Sequence, residues 1–240
     1  MTQAEKFSSL NAESKRQFLP VFEHFAQYLF CEKEQLENPA RILCSSNSFT
    51  QHHPDQILIY HHLFTHILCV PFPLTGLMTP IAEKLPPYKH EWSEHIQRLL
   101  IDRKPIGEFE RFEDWYLHRE CYQGEKAKSR EPGSPEVEAV QNTQSLEAPS
   151  IPGIPSQGFS FSQNGKVLFH LYEISESLGE ITLLEGLPEI RASAVEVALE
   201  RFSILRIRIG EGREILREVI QALGFQQLFT WEILQIQNPQ

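Results

Sequence analysis

The sequence predicts an α+β protein, a mixed antiparallel/parallel sheet with flanking helices. Three observations lead there. Residues 157–236 alternate strand-like and helix-like runs in the order β-β-β-α-β-α-β. Within that stretch Asn164-Gly165 separates two apolar runs, the strongest short signal for a hairpin. Residues 1–122 mix amphipathic helical stretches with β-branched runs, so this part too is read as α+β.

The elements follow in chain order. Over residues 3–30, Phe18, Phe22, Phe25 and Leu29 recur at three- and four-residue intervals and share one helical face, expected to point into a core. Residues 41–48 read as a short strand, and a polar turn, Gln51-His52-His53-Pro54-Asp55, follows. Gln56 to Tyr60 and His66 to Val70 are apolar or β-branched runs with a short connection, which predicts a hairpin. A helix over 57–69 competes with it, because the run holds few breakers. Residues 76–84 and 90–101 read as helices, the second carrying Trp92, Ile96, Leu99 and Leu100.

Residues 123–156 change character. Pro132, Pro135, Pro149, Pro152 and Pro155 stand among Gly, Ser, Glu and Lys with few aliphatics and no aromatic residue. Such a segment buries too little apolar surface to offset its ordering entropy, so a disordered linker is expected. The chain is thereby divided into an N-terminal part, 1–122, the linker, 123–156, and a C-terminal core, 157–240.

In the C-terminal core, Phe159 to Ser162 and Val167 to Ile174 form the hairpin strands, and Gly179 to Leu184 a third strand. Pro188 suits the first turn of a helix. Ile190, Ala194, Val197, Ala198 and Phe202 give that helix an apolar face. In Ser203 to Ile209, Leu205, Ile207 and Ile209 oppose Ile204, Arg206 and Arg208. A second helix turns Ile215, Leu216, Val219, Ile220 and Leu223 inward. Gly224 caps it, Phe225 packs back on it, and Gln227 to Ile236 is the last strand.

This order, the motif Pro188-Glu189-Ile190-Arg191 and the ending Leu223-Gly224-Phe225 resemble the GCN5-related N-acetyltransferase (GNAT) family over about a third of the chain. The resemblance implies a degenerate acetyltransferase-like core. In the family, backbone N–H groups of the turn hold the pyrophosphate of acetyl-CoA at a helix N-terminus, a natural anion site. Here that role would fall to Arg191, Ala192, Ser193, Ala194 and Val195. Three departures matter. Ala194 stands where the family has glycine, and Glu196 where it has glycine or alanine, so a carboxylate enters the anion site's surroundings. Ile220 takes the place of a tyrosine that often protonates the departing thiolate, and it can donate no proton. Glu180 and Glu185 are the candidate general bases, although both also read as solvated charges at strand ends. Two functions follow: an N-acyltransferase moving an acetyl group from acetyl-CoA to an amine-bearing small molecule or peptide, or a non-catalytic module that has lost the cofactor and binds a protein partner. The departures lead us to expect weak or absent acetyl-CoA binding.

Other candidates are less specific. His52, His53, His61, His62 and His66 crowd one segment. In a helix, His62 and His66 would share a face as metal ligands do, but the Glu of an HExxH motif is absent, and in a hairpin the two would flank a turn. No metal ligand set is assigned. A histidine near Cys69 or Cys121 would suit nucleophilic catalysis, whereas a buried inert thiol is the usual outcome. Glu113-Asp114-Trp115-Tyr116 reads as an acidic-aromatic cluster or as the start of an amphipathic helix.

Composition narrows the partners. With 22 Lys+Arg against 32 Asp+Glu the formal charge is −10, which disfavours nucleic acid, whose backbone requires clustered cations. The longest apolar stretch, Ile67 to Ala82, is broken by Pro71, Pro73 and Pro80, so no membrane span is expected. The N-terminus lacks a signal-like apolar block, and the four cysteines form no CxxC. The expectation is a cytoplasmic protein with free thiols.

Overall fold

The computed structural model describes residues 17–21, 23–24, 41–44, 53–62, 65–82, 84–85, 92–100, 106–123, 138–147, 155–163, 166–183 and 192–236. They fall into two compact units: residues 1–113 with 229–240, and residues 114–228. The division thus runs through two strands, β4 (Ile106–His118) and β10 (Gln226–Ile236), which contribute to both units. Among the described residues, no helix is long and apolar enough to cross a membrane.

In the first unit, β1 (Arg41–Cys44) lies parallel to β3 (Thr65–Val70). Strand β3 pairs antiparallel with β2 (Gln56–His62), and β2 pairs antiparallel with β10. Residues 57–69 are therefore a hairpin and not a helix. Alternation decides it: Leu58 lies opposite Cys69, Ile59 opposite Leu68 and Tyr60 opposite Ile67, so each strand buries both of its faces. Helices α1 (Thr75–Ala82) and α2 (Trp92–Leu100) supply one cover. Met78, Ile81, Trp92, Ile96 and Leu100 pack with Ile57, Ile59, Leu68, Val70, Leu234 and Ile236. Near the N-terminus Phe18 and Val21 are buried, while Phe22, Phe25 and Leu29 lie outside the described residues.

In the second unit the strand order is β5-β6-β7-β8-β9-β4. Strands β5 (Glu138–Glu147), β6 (Pro155–Gln163), β7 (Lys166–Glu173) and β8 (Leu178–Leu183) pair antiparallel in succession. Strand β8 then pairs parallel with β9 (Ile204–Gly210) across helix α3 (Ala192–Arg201). Helix α4 (Glu214–Ala222) leads from β9 to β10. From β6 to β10 the order is β-β-β-α-β-α-β, and the sheet is mixed with flanking helices, as the sequence predicts.

Three expectations are corrected in this unit. Residues 138–147, inside the stretch read as linker, form strand β5 along β6, with Val140 opposite Ser160. A sheet edge offers backbone partners to a segment that has little apolar surface to bury, so composition alone misreads it. The buried face of α3 is Ala192, Val195, Ala198 and Leu199, continued by Phe202, with Val197 only partly buried. Pro188 and Ile190 lie outside the described residues, as does the Asn164-Gly165 turn that Gln163 and Lys166 bracket. In α4, Leu216, Ile220 and Leu223 are buried, but Ile215 is 74% exposed, one position round the helix from the inward face.

Close packing leaves room for nothing larger than hydrogen at two glycines. A Cβ on Gly179 would lie 2.7 Å from Cδ2 of Phe202, where β8 passes under α3. Gly224 has φ +100° and a Cβ there would overlap the carbonyl oxygen of Cys121. It caps α4 in the left-handed conformation, and the Phe225 N–H donates to the Ile220 carbonyl at 3.0 Å, closing the helix end.

Candidate functional site

The two faces of the second unit's sheet differ in chemistry. One carries Phe159, Phe169, Leu171, Ile181, Leu205, Ile207, Ile209, Trp115 and Leu117 under α3 and α4. Because side chains alternate along each strand, the other face carries Ser160, His170, Tyr172, Glu180, Arg206, Arg208, Asp114 and Tyr116. Register joins these into rows: Ser160 lies opposite His170, Tyr172 opposite Glu180, and Glu180 opposite Arg206.

The centre of this polar face is an ion cluster. Arg206 Nη2 donates to Asp114 Oδ2 at 2.6 Å, and its Nη1 to Glu180 Oε2 at 3.4 Å. Arg208 donates through Nε to Asp114 Oδ1 at 2.8 Å and through Nη2 to Oδ2 at 3.2 Å. Asp114 is fully buried, and Arg206 and Glu180 are nearly so. Two carboxylates facing two guanidiniums leave the cluster neutral, which is how charges are tolerated in so dry a place. Burial pulls the Arg206 pKa down, but Asp114, Tyr116 and Glu180 outweigh it, and the guanidinium is held protonated.

Tyrosines border the cluster. Burial pushes the Tyr116 phenol well above its ordinary value, with Asp114 adding to the rise and Arg206 opposing it. Tyr172 is raised for the same first reason, with Glu180 second. Both are thus neutral hydrogen-bonding groups at physiological pH. Farther along the face, the Ser160 hydroxyl and His170 Nδ1 are 3.0 Å apart.

At one end of the face two strands run parallel. The described register of β8 with β9 ends at Ile181 opposite Ile207, while β8 runs on to Leu183 and β9 to Gly210. Thr182 on β8, opposite His170, and Arg208 on β9, both partly exposed, are the first polar side chains past that point. In open α/β arrangements, ligands sit at the carboxyl ends of parallel strands, near the start of the following helix. The segment after β4 braces that helix. Tyr122 Oη donates to the Ala192 carbonyl at 2.7 Å and Arg119 Nη2 to the Phe202 carbonyl at 3.3 Å, while the Gln123 N–H donates to the Leu223 carbonyl at the end of α4 at 3.1 Å.

The candidates from sequence are distributed unevenly. Glu180 is no solvated strand end: it lies mid-strand, 3% exposed, and Arg206 pairs with it. Ala192 and Val195 turn their side chains into the core at the start of α3. For Ser193 and Ala194 only the helical backbone is described, and Glu185 and Arg191 lie outside the described residues. Ile220 is wholly buried in α4. Asp114, expected near a helix start, belongs instead to strand β4 and anchors the ion cluster. From sequence Asp114 stands out only as part of the acidic-aromatic cluster Glu113 to Tyr116, and the arginines do not stand out at all. Two arginines inside the apolar run Ile204-Leu205-Arg206-Ile207-Arg208-Ile209 were the available signal, since a strand buried on both faces tolerates charge only when it is paired. The Cys121 thiol is pushed up by burial and by Glu120, opposite to what a nucleophilic thiolate requires.

In the first unit, His61 and His66 are directly opposite across the β2–β3 hairpin, and His62 is opposite Thr65. His62 and His66 therefore do not share a helical face. His61 Nε2 lies 3.2 Å from Glu232 Oε2, both side chains being buried.

No family model matches the chain, and no curated protein matches it. Solved structures do. A functionally unknown conserved protein from Staphylococcus epidermidis aligns at 8% identity and TM-score 0.36, covering 59% of this chain and 66% of that one. A GCN5-related N-acetyltransferase from Kribbella flavida aligns at 12% identity and TM-score 0.35, covering 60% of this chain and 64% of that one. Each match spans less than two thirds of the other protein. A GCN5-related N-acetyltransferase-like protein from Streptococcus suis aligns at 14% identity and TM-score 0.36, covering 76% of this chain and 84% of that one.

Proposed function

We propose that the second unit is an N-acyltransferase that moves an acetyl group from acetyl-CoA to the amine of a small molecule or peptide. The observation that carries this reading is the parallel β8–β9 pair, whose register ends at Ile181 and Ile207 while both strands continue, just before the start of α3.

The residues at that helix start suit a phosphate-bearing cofactor. Ala192, Ser193 and Ala194 are small, and Ala192 and Val195 direct their side chains into the core, so first-turn N–H groups are approachable. Tyr122 fixes the Ala192 carbonyl and with it the direction of the helix. Arg191 to Val195 would hold the pyrophosphate. Bound acetyl-CoA supplies a thioester open to attack by an amine. The chain must then accept the proton that the amine sheds, and Glu180 and Glu185 are the carboxylates this reading uses. Tyr172, neutral and beside Glu180, would orient the acceptor by a hydrogen bond.

A second reading is binding without transfer. It is favoured by the engagement of Glu180 with Arg206, and by the buried Ile220 in place of a proton-donating tyrosine.

Thermal unfolding with acetyl-CoA separates the two. Ligand at a hundredfold its dissociation constant stabilises the folded state by about 2.7 kcal/mol. A shift in the unmodified chain, with acetyl transfer to amines, is the result that the transferase reading requires. A shift seen only in an Ala194→Gly, Glu196→Gly double variant would favour the second reading, since that change removes a like charge and lets the backbone approach. No shift in either protein overturns the acyl-CoA reading.

A further inference from the structure

Acyl transfer by the second unit needs a group that takes a proton from the attacking amine, and Glu180 is badly placed for it. Its side chain is nearly buried, and Arg206 Nη1 donates to it at 3.4 Å. An amine arriving from solvent finds that carboxylate closed off and already engaged.

The same face offers a histidine. On β7, His170 is partly exposed, and its Nδ1 lies 3.0 Å from the Oγ of Ser160, directly opposite on β6. On its other side His170 lies opposite Thr182 of β8. Thr182 follows Ile181, where the described β8–β9 register ends. Ser160, His170 and Thr182 therefore form one cross-strand row that leads from β6 to the end of the parallel pair. Gly158, Tyr172 and Glu180 form the next row, farther from the carboxyl end of β8.

The serine gives the imidazole a direction. A neutral imidazole has one N–H and one lone pair, and the bond made at one nitrogen sets what the other presents. With the proton on Nδ1, that N–H donates to Ser160 Oγ, and Nε2 carries the lone pair. Ser160 is buried, so the bond is sheltered from water. Few charges face the ring. Strand β6 carries no charged residue, and Glu180 is the one titratable group of β8, diagonal to His170. On β7 the Tyr172 ring centre is 6.4 Å away, and its phenol is neutral. Beyond β8, Arg208 is held by two hydrogen bonds to Asp114.

We propose that His170 is the catalytic base of the second unit, with Ser160 as the positioning residue that fixes its tautomer. The proposal rests on the acyl-transfer reading and moves the proton from Glu180 to His170. The C–N bond forms as the C–S bond of the thioester breaks. The amine proton ends on Nε2, and the thiolate takes its proton from solvent, since Ile220 has none to give.

The test follows acetyl transfer to amines and, separately, thermal stabilisation by acetyl-CoA. His170→Gln should lose about 10²- to 10⁴-fold in kcat, while acetyl-CoA still raises its melting temperature. The acid limb of the pH–rate profile should vanish with it. In His170→Ala, added imidazole should restore part of the transfer, which a merely structural histidine would not allow. Ser160→Ala should lower kcat by less and keep the acid limb. Nitrogen NMR of the His170 ring should place the proton on Nδ1; if His170→Gln fails to fold, this tautomer and Ser160→Ala decide. Transfer that is unchanged in His170→Gln, or a ring with its proton on Nε2, overturns this proposal alone and returns the proton to a carboxylate. An unmodified chain that transfers no acetyl group overturns the acyl-transfer reading and this proposal with it.

Discussion

Replacing Asp114 by asparagine tests the central ion cluster most severely. The carboxylate is fully buried and accepts one hydrogen bond from Arg206 and two from Arg208, at 2.6, 2.8 and 3.2 Å. Asparagine keeps the shape, removes the charge and turns an N–H2 toward one guanidinium. Arg206, 3% exposed at its side chain, would then face only the 3.4 Å contact with Glu180 among these pairs, and the cluster would carry a net buried positive charge. Breaking a buried pair in this way costs about 3–5 kcal/mol, because the remaining charge is uncompensated and cannot reach water. The Glu94–Arg98 pair on α2 is the control. Its side chains are 64% and 72% exposed, so Glu94→Ala should cost no more than about 0.5 kcal/mol. For a chain of this length, 1 kcal/mol corresponds to about 2–4 °C, so Asp114→Asn should lower the melting temperature by roughly 6–20 °C. Calorimetry and urea unfolding of both variants supply the measurement. A loss below about 1 kcal/mol for Asp114→Asn, or equal losses in the two variants, would refute the burial and pairing argued for this cluster.

Two further substitutions test the packing of the same unit. Ile207→Ala removes a fully buried side chain from the strand that α3 and α4 cover, and should cost about 2–5 kcal/mol in urea unfolding; an effect of a few tenths would mean that β9 is not central. Gly224→Ala puts a Cβ on a residue at φ +100° and against the Cys121 carbonyl, so backbone must shift, and a loss above about 1 kcal/mol is expected. Unchanged stability there would show that the end of α4 is not held against the segment after β4.

The sequence determined the order of elements from β6 to β10 and the β2–β3 hairpin, because these are written in local patterns. Apolar residues recurring at three or four positions in α4, alternation in β9, and a glycine after the last turn each depend on neighbours a few residues away. Local pattern failed where a partner is remote. Strand β5 is polar and proline-flanked, and it is a strand because β6 offers it backbone partners. Ile215 has the same chemistry as Leu216 and differs only in which side of α4 meets the sheet. Glu180 and Arg206 read as ordinary charges until parallel pairing sets them side by side, and Asp114 reaches them from more than sixty residues away in the chain. The histidine segment follows the same rule: its residues were visible at once, but only the hairpin register and the return of β10 place Glu232 beside His61. Period and propensity are short-range properties that one sequence carries in full. The pairing of buried charges is set by which strands become neighbours, and that is decided by the tertiary structure, where a charge withdrawn from water must meet its opposite.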